Sequence, residues 1–240
     1  MFGKPIKLFR FAGVDVRIHF SWFLLLLLIT WSLAAGFFPM RFPGLSTGLF
    51  WALGFAGAMG LFLSILLHEI SHSVVGRHFG MKMEGITLFL LGGVAELPNE
   101  PQRPKAEFWM AIAGPMTSFA LAILFLGANR AGANLGWPGP WTGVFGYLSF
   151  INVVLAVFNL VPAFPLDGGR VFRSLIWAAS GDYARATSIA TRVGSGFGLV
   201  LILLGAISIL SGNPIGGLWW VFIGLFVRVS AQAAMRQMTL

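Results

Sequence analysis

Inside an apolar stretch of the chain stands His68-Glu69-Ile70-Ser71-His72, a pattern of the form H-E-x-x-H. On a helix that turns about 100° per residue, Glu69 lies about 100° and His72 about 40° round from His68, so all three share one arc. That spacing lets two imidazoles grip one zinc ion while the glutamate reaches the water bound to it. Two imidazoles do not complete a catalytic zinc site, which normally takes three protein ligands and keeps one position for water. The chain has no cysteine, so a third ligand must be a carboxylate or another histidine.

The segment Phe158-Asn-Leu-Val-Pro-Ala-Phe-Pro-Leu-Asp-Gly-Gly-Arg170 offers that ligand. Pro162 and Pro165 each remove a helix donor, which predicts a broken helix, and Gly168-Gly169 predict a sharp turn that presents Asp167 on irregular backbone. Asp167 then reads as the third ligand or as an interfacial turn residue. Non-helical backbone at membrane depth is tolerated where it lines a cavity, as a metal site requires. Asn159 reads as an amide that ties helices together or as a donor aimed at a substrate carbonyl. His78 lies about 240° past His72 and should face away, and His19 reads as a headgroup contact.

The elements that must carry these residues are membrane spans. Of 240 residues, 57% are hydrophobic and 10% charged, against roughly a quarter charged in soluble proteins, which excludes both a water-soluble fold and disorder. Six stretches approach the roughly 20 apolar residues needed to cross a bilayer: about 18–38, 48–76, 108–128, 142–162, 193–211 and 215–233. With the N-terminus inside, only Arg41 and Arg130 of the 16 Lys and Arg residues fall outside, so the positive-inside rule supports both span count and orientation. The net charge of +8 then reads as cytoplasmic anchoring, not nucleic-acid binding. The first span has a second reading as a signal peptide, since Ser32-Leu33-Ala34 resembles a cleavage site.

Charged groups within spans cost at least about 2.5–3.5 kcal/mol each, so H-E-x-x-H inside a span carries far more information than the bare pattern. His68 precedes Arg77 by nine residues, roughly 13 Å along a helix, which puts a metal there below the cytoplasmic surface. Gly54, Gly57 and Gly60 predict close helix contact. Residues 85–97, apolar but too short to cross, read as a re-entrant β-hairpin turning at Gly92-Gly93 or as a surface loop. The expected fold is an all-α polytopic membrane protein, a single domain over 1–240 with that hairpin between the second and third spans.

These residues resemble the site-2 protease family, membrane-embedded zinc metalloproteases that cut other proteins within or beside their transmembrane segments. The resemblance rests on His68 to His72 and on Asn159-x-x-Pro162-x-x-Pro165-Leu-Asp167-Gly-Gly, with weaker echoes in Gly92-Gly93 and Ala113-Gly114-Pro115. It implies that His68, His72 and Asp167 bind one Zn2+, that Glu69 is the catalytic carboxylate, and that Asn159 helps hold the reacting peptide. It also implies a hairpin lining the substrate path, a single-pass membrane protein as substrate, and a site near the cytoplasmic side with both termini cytoplasmic. Many relatives with six spans continue into a nucleotide-binding CBS pair, whereas this sequence stops at Leu240. Two other readings stand beside it: a membrane zinc transporter, which would need relay ligands at several depths, and an inactive adaptor. Oligomeric state is not legible.

Overall fold

A computed structural model describes residues 6–11, 14–81, 85–89, 92–96 and 101–237. In chain order the elements are β1 (Ile6–Phe11), β2 (Val14–Ile18), α1 (Ser21–Ser32), a π-helical turn (Leu33–Phe37), α2 (Phe38–Arg41), α3 (Thr47–His78), β3 (Gly85–Phe89), β4 (Gly92–Glu96), α4 (Pro104–Asn134), α5 (Gly139–Asn159), α6 (Asp167–Ser180), α7 (Tyr183–Leu210) and α8 (Pro214–Gln237). Six helical stretches are long and apolar enough to cross a membrane: Ser21–Arg41, Thr47–His78, Pro104–Asn134, Gly139–Asn159, Tyr183–Leu210 and Pro214–Ala234. They coincide with the six expected spans and mostly run past them. Helices α3 and α4, for example, extend beyond the roughly 20 residues that hydrocarbon requires.

The chain divides into two compact units. The first comprises Met1–Glu100 and Ala113–Ala156, and the second Pro101–Ile112 and Val157–Leu240.

In the first unit, α3 is the central element. Ser46 caps it by accepting a hydrogen bond from the Leu49 N–H. The predicted glycine contacts are present. A Cβ at Gly54 would stand 2.7 Å from the Thr30 carbonyl oxygen, one at Gly57 2.9 Å from Leu33 Cδ1, and one at Gly60 2.6 Å from Leu148 Cδ1. Small residues thus let α1 and α5 approach α3 closely, the usual basis of helix packing in lipid. Asn152 Nδ2 donates to Ser64 Oγ at 3.0 Å, a buried polar tie between α5 and α3.

A four-stranded sheet, ordered β1-β2-β3-β4, completes this unit. Over this stretch β3 and β4 pair antiparallel, as a β-hairpin requires, with Phe89 opposite Gly92 and Gly85 opposite Glu96. Its turn differs from expectation. Gly92 and Gly93 belong to β4, and residues 90, 91 and 97 lie outside the described residues. The sheet also adds β1 and β2, absent from the all-α expectation, with β2 running parallel to β3. Val16, Ile18 and Ile86 from the sheet are buried with Trp22 and Leu66, so the sheet packs on α3 at a residue two positions before His68.

The second unit joins the start of α4 and the end of α5 to α6, α7 and α8. Helices α7 and α8 touch through glycine. A Cβ at Gly198 would meet the Gly224 carbonyl at 2.7 Å, and one at Gly205 the Gly217 carbonyl at 2.6 Å. The break after α5 falls where the prolines predict it, and α6 begins at Asp167.

Candidate metal centre

Helix α3 carries His68 and His72 one turn apart, both buried, with ring centroids 4.9 Å from each other. Within the first unit α4 packs against both rings. Gly114 lies flush against both rings: a Cβ there would overlap His72 Nε2 and stand 2.5 Å from His68 Nε2. Glycine is the residue that lets the α4 backbone pass this close. On the opposite side of the first ring, His68 Nδ1 lies 2.8 Å from the buried Ser118 Oγ. A histidine that ligates through Nε2 keeps its proton on Nδ1, and a partner for that proton fixes the ring's orientation and tautomer. Ser118 supplies that partner. Glu69 is half-buried on the adjoining arc of α3.

Asp167 is the first residue of α6, where a carboxylate is favoured by the positive end of the helix dipole. This corrects the expectation of irregular backbone: the chain is irregular up to Leu166 and helical from Asp167 onward. Gly168 and Gly169 do not make a turn either. Both sit in the first turn of α6, where a Cβ on Gly168 would overlap the Leu160 carbonyl and one on Gly169 would overlap the Phe164 amide. Their role is to let the helix start press against the backbone of the preceding loop.

His68, His72 and Asp167 form a group that could hold a metal ion, their ligand atoms all within 4.8 Å of one another. The donor set is two imidazole nitrogens and one carboxylate oxygen, of the type zinc takes in catalytic sites that retain an open position. Nε2 of both rings lies against the same residue, Gly114, and Ser118 occupies Nδ1 of His68, so the donor set fits a zinc ion.

Asn159, the last residue of α5, is partly exposed and opens the loop that ends at Asp167. His78, expected to face away from the site, is exposed at the end of α3. His19, expected at headgroup level, is instead buried, and its Nδ1 accepts a hydrogen bond from the Ser21 N–H at the start of α1.

Around α6 the second unit buries a charge cluster that was not foreseen. Glu107, near the start of α4, is fully buried, and its Oε1 accepts hydrogen bonds from Arg173 Nε at 2.9 Å and from Arg173 Nη2. Arg170 Nε lies 3.8 Å from the same oxygen. Burial pushes the Arg170 guanidinium below its ordinary range, and the Glu107 charge opposes that shift. The signal in the sequence was a lone carboxylate at the edge of an apolar span, which by insertion cost alone asks for a cationic partner.

The sequence model described as Peptidase family M50 matches residues 56–129 and 132–202, a range that includes every residue of the metal group. A protein of Synechocystis sp. provisionally named a zinc metalloprotease is 41% identical over 234 residues, covering 98% of this chain and 60% of its own length. Rip3 of Mycobacterium tuberculosis, which carries the same provisional name, is 41% identical over 227 residues, covering 95% of this chain and 58% of its own. The chain thus spans about three-fifths of the length of these curated relatives. Among solved structures, the site-2 protease from Methanocaldococcus jannaschii superposes with a TM-score of 0.63 at 32% identity, covering 97% of this chain and 95% of that one.

Proposed function

The chain belongs to peptidase family M50, and from that membership we propose that it is an intramembrane zinc metalloprotease of the site-2 type. It would hydrolyse a peptide bond in or near the transmembrane segment of a single-pass membrane protein, as in regulated intramembrane proteolysis. The six apolar helices support the coarser statement directly: this is a multi-pass integral membrane protein. The observation that carries the catalytic reading is the convergence of His68, His72 and Asp167.

In this reading His68, His72 and Asp167 would hold one zinc ion per chain, and Asp167 would supply the negative charge that makes a buried dication tolerable. When bound, zinc supplies Lewis acidity toward a carbonyl oxygen and a lowered pKa for water. The carboxylate of Glu69 takes a proton from the attacking water and delivers it to the departing amine nitrogen as the C–N bond breaks. Asn159 donates its side-chain amide to the carbonyl of the bound peptide and so orients it. Residues 1–240 act as one protease domain.

A helical substrate hides its carbonyls in its own hydrogen bonds, so it must unwind before attack. Among the described residues strand β4 ends the four-stranded sheet, and a sheet edge can hold an extended segment by strand addition. We assign the hairpin that role. The distribution of Lys and Arg supports cytoplasmic termini and a site reached from the cytoplasmic leaflet.

The test is cleavage of a single-span substrate co-reconstituted with the purified chain in liposomes. The zinc-loaded protein should cut it, stripping with a chelator should stop cleavage, and added zinc should restore it. Zinc flux across the same liposomes with no cleavage would replace the protease reading with a carrier.

A further inference from the structure

Glu107 and Arg173 form a buried ion pair that the proposed chemistry does not use. Glu107, Phe164, Tyr183 and Thr187, which contact Arg173, lie with it in the second unit. Arg173 is 5% exposed, donates twice to Glu107 Oε1, and places Nη1 3.4 Å from Thr187 Oγ1 on α7. Its guanidinium carbon lies 5.2 Å from the ring centre of Phe164 and 4.9 Å from that of Tyr183. The planar head is therefore fixed both by its hydrogen-bond fork and by aromatic rings, an arrangement a lysine cannot reproduce.

Buried ion pairs are weak evidence for stability, because apolar side chains of similar volume often do as well. This pair is also incompletely satisfied: among the described residues Glu107 Oε2 has no hydrogen-bond partner. What it does supply is geometry. Arg173 lies six residues after Asp167 on α6, less than two turns away, and Phe164 lies three residues before it in the preceding loop. Arg173 thus touches the chain on both sides of Asp167 while Glu107 anchors it to α4. Gly168 and Gly169 press the same helix start onto residues 160–164. A helix held at that point cannot rotate about its axis, so the direction of its first side chain is set.

We propose that Glu107 and Arg173 are positioning residues for the metal centre: they fix the start of α6 so that Asp167 presents its carboxylate as a ligand. The proposal rests on the reading of Asp167 as a metal ligand, and it requires that the pair act on metal binding through Asp167.

The experiment measures zinc dissociation from the full chain in detergent, by competition with a chromophoric chelator, for Glu107→Gln, Arg173→Lys, Asp167→Asn and the double variant Glu107→Gln with Asp167→Asn. Loss of an outer partner of a metal ligand costs about 10–100-fold in affinity. Glu107→Gln and Arg173→Lys should each weaken zinc by about that factor, while the zinc-free protein keeps its helix content. The double variant should bind zinc no more weakly than Asp167→Asn alone, because a group that acts through Asp167 has nothing left to position. Should Glu107→Gln fail to fold, Arg173→Lys, which keeps the charge, decides the matter. Wild-type zinc affinity in Arg173→Lys, or additive loss in the double variant, would overturn the proposal. Wild-type zinc affinity in Asp167→Asn would instead overturn the ligand assignment on which it rests.

Discussion

Gly114 and His72 lie so close that no side chain fits between them: a Cβ on Gly114 would overlap the imidazole Nε2. The helix that carries the two histidines is therefore matched to a bare stretch of α4 backbone. Any residue other than glycine there must push the rings or the helix away. Misplacement of about 1 Å at a reacting centre costs on the order of 100-fold in rate. Gly114→Ala is expected to slow cleavage by about that factor and to lower zinc occupancy, measured by peptide cleavage and metal analysis of the same preparation. Unchanged values for both would show that the site relaxes around the methyl group.

Ser118 makes a separate prediction about the first imidazole. Its hydroxyl lies 2.8 Å from His68 Nδ1, so Ser118→Ala removes the partner that fixes the ring's tautomer. Zinc affinity is expected to fall by about 10–100-fold, and Ser118→Thr, which keeps the hydroxyl, should recover most of it. Chelator competition reads both variants.

Much of this arrangement was legible because two patterns broke the rules of their surroundings. His68, Glu69 and His72 are expensive inside an apolar span, and Pro162 and Pro165 end a helix in the span that follows α4. Local rules also gave the spans, since each must satisfy its own backbone in lipid. Pairings distant in sequence were not legible. Glu107 and Arg173 are separated by 66 residues, and nothing local distinguishes Ser118 from Thr117, the other hydroxyl residue of α4. Strands β1 and β2 escaped because Ile6–Phe11 and Val14–Ile18 are short and charged, and their partner β3 lies far along the chain. Gly168 and Gly169 were read for backbone freedom when the structure uses them for close approach, and sequence alone does not separate the two uses.

The strand-addition role of the hairpin is open to a direct check. Proline lacks the N–H that a sheet edge offers to an incoming strand. Proline placed singly at Gly93, Val94 and Ala95 along β4 should slow cleavage of a single-span substrate at the positions whose N–H faces the edge, by about tenfold or more, on the order of one or two lost hydrogen bonds. Zinc content should stay at the wild-type value. Cleavage unaffected at all three positions would remove the hairpin from substrate binding.

Asp167→Asn keeps the shape of the side chain and removes its charge. It should weaken zinc retention by more than the roughly 10–100-fold expected for loss of an outer partner, because a ligand in the metal group itself is altered. Proteolysis should fall with the zinc content and recover in part at high added zinc.

Most directly at issue is whether the carboxylate beside the metal group performs proton transfer in peptide hydrolysis. The measurement is cleavage of a single-span substrate by purified Glu69→Gln, with zinc per chain determined on the same sample. Zinc should equal that of the wild type, while cleavage drops by about 100- to 10,000-fold, the range for loss of a general base. Cleavage at the wild-type rate by a zinc-loaded Glu69→Gln protein would contradict the assignment.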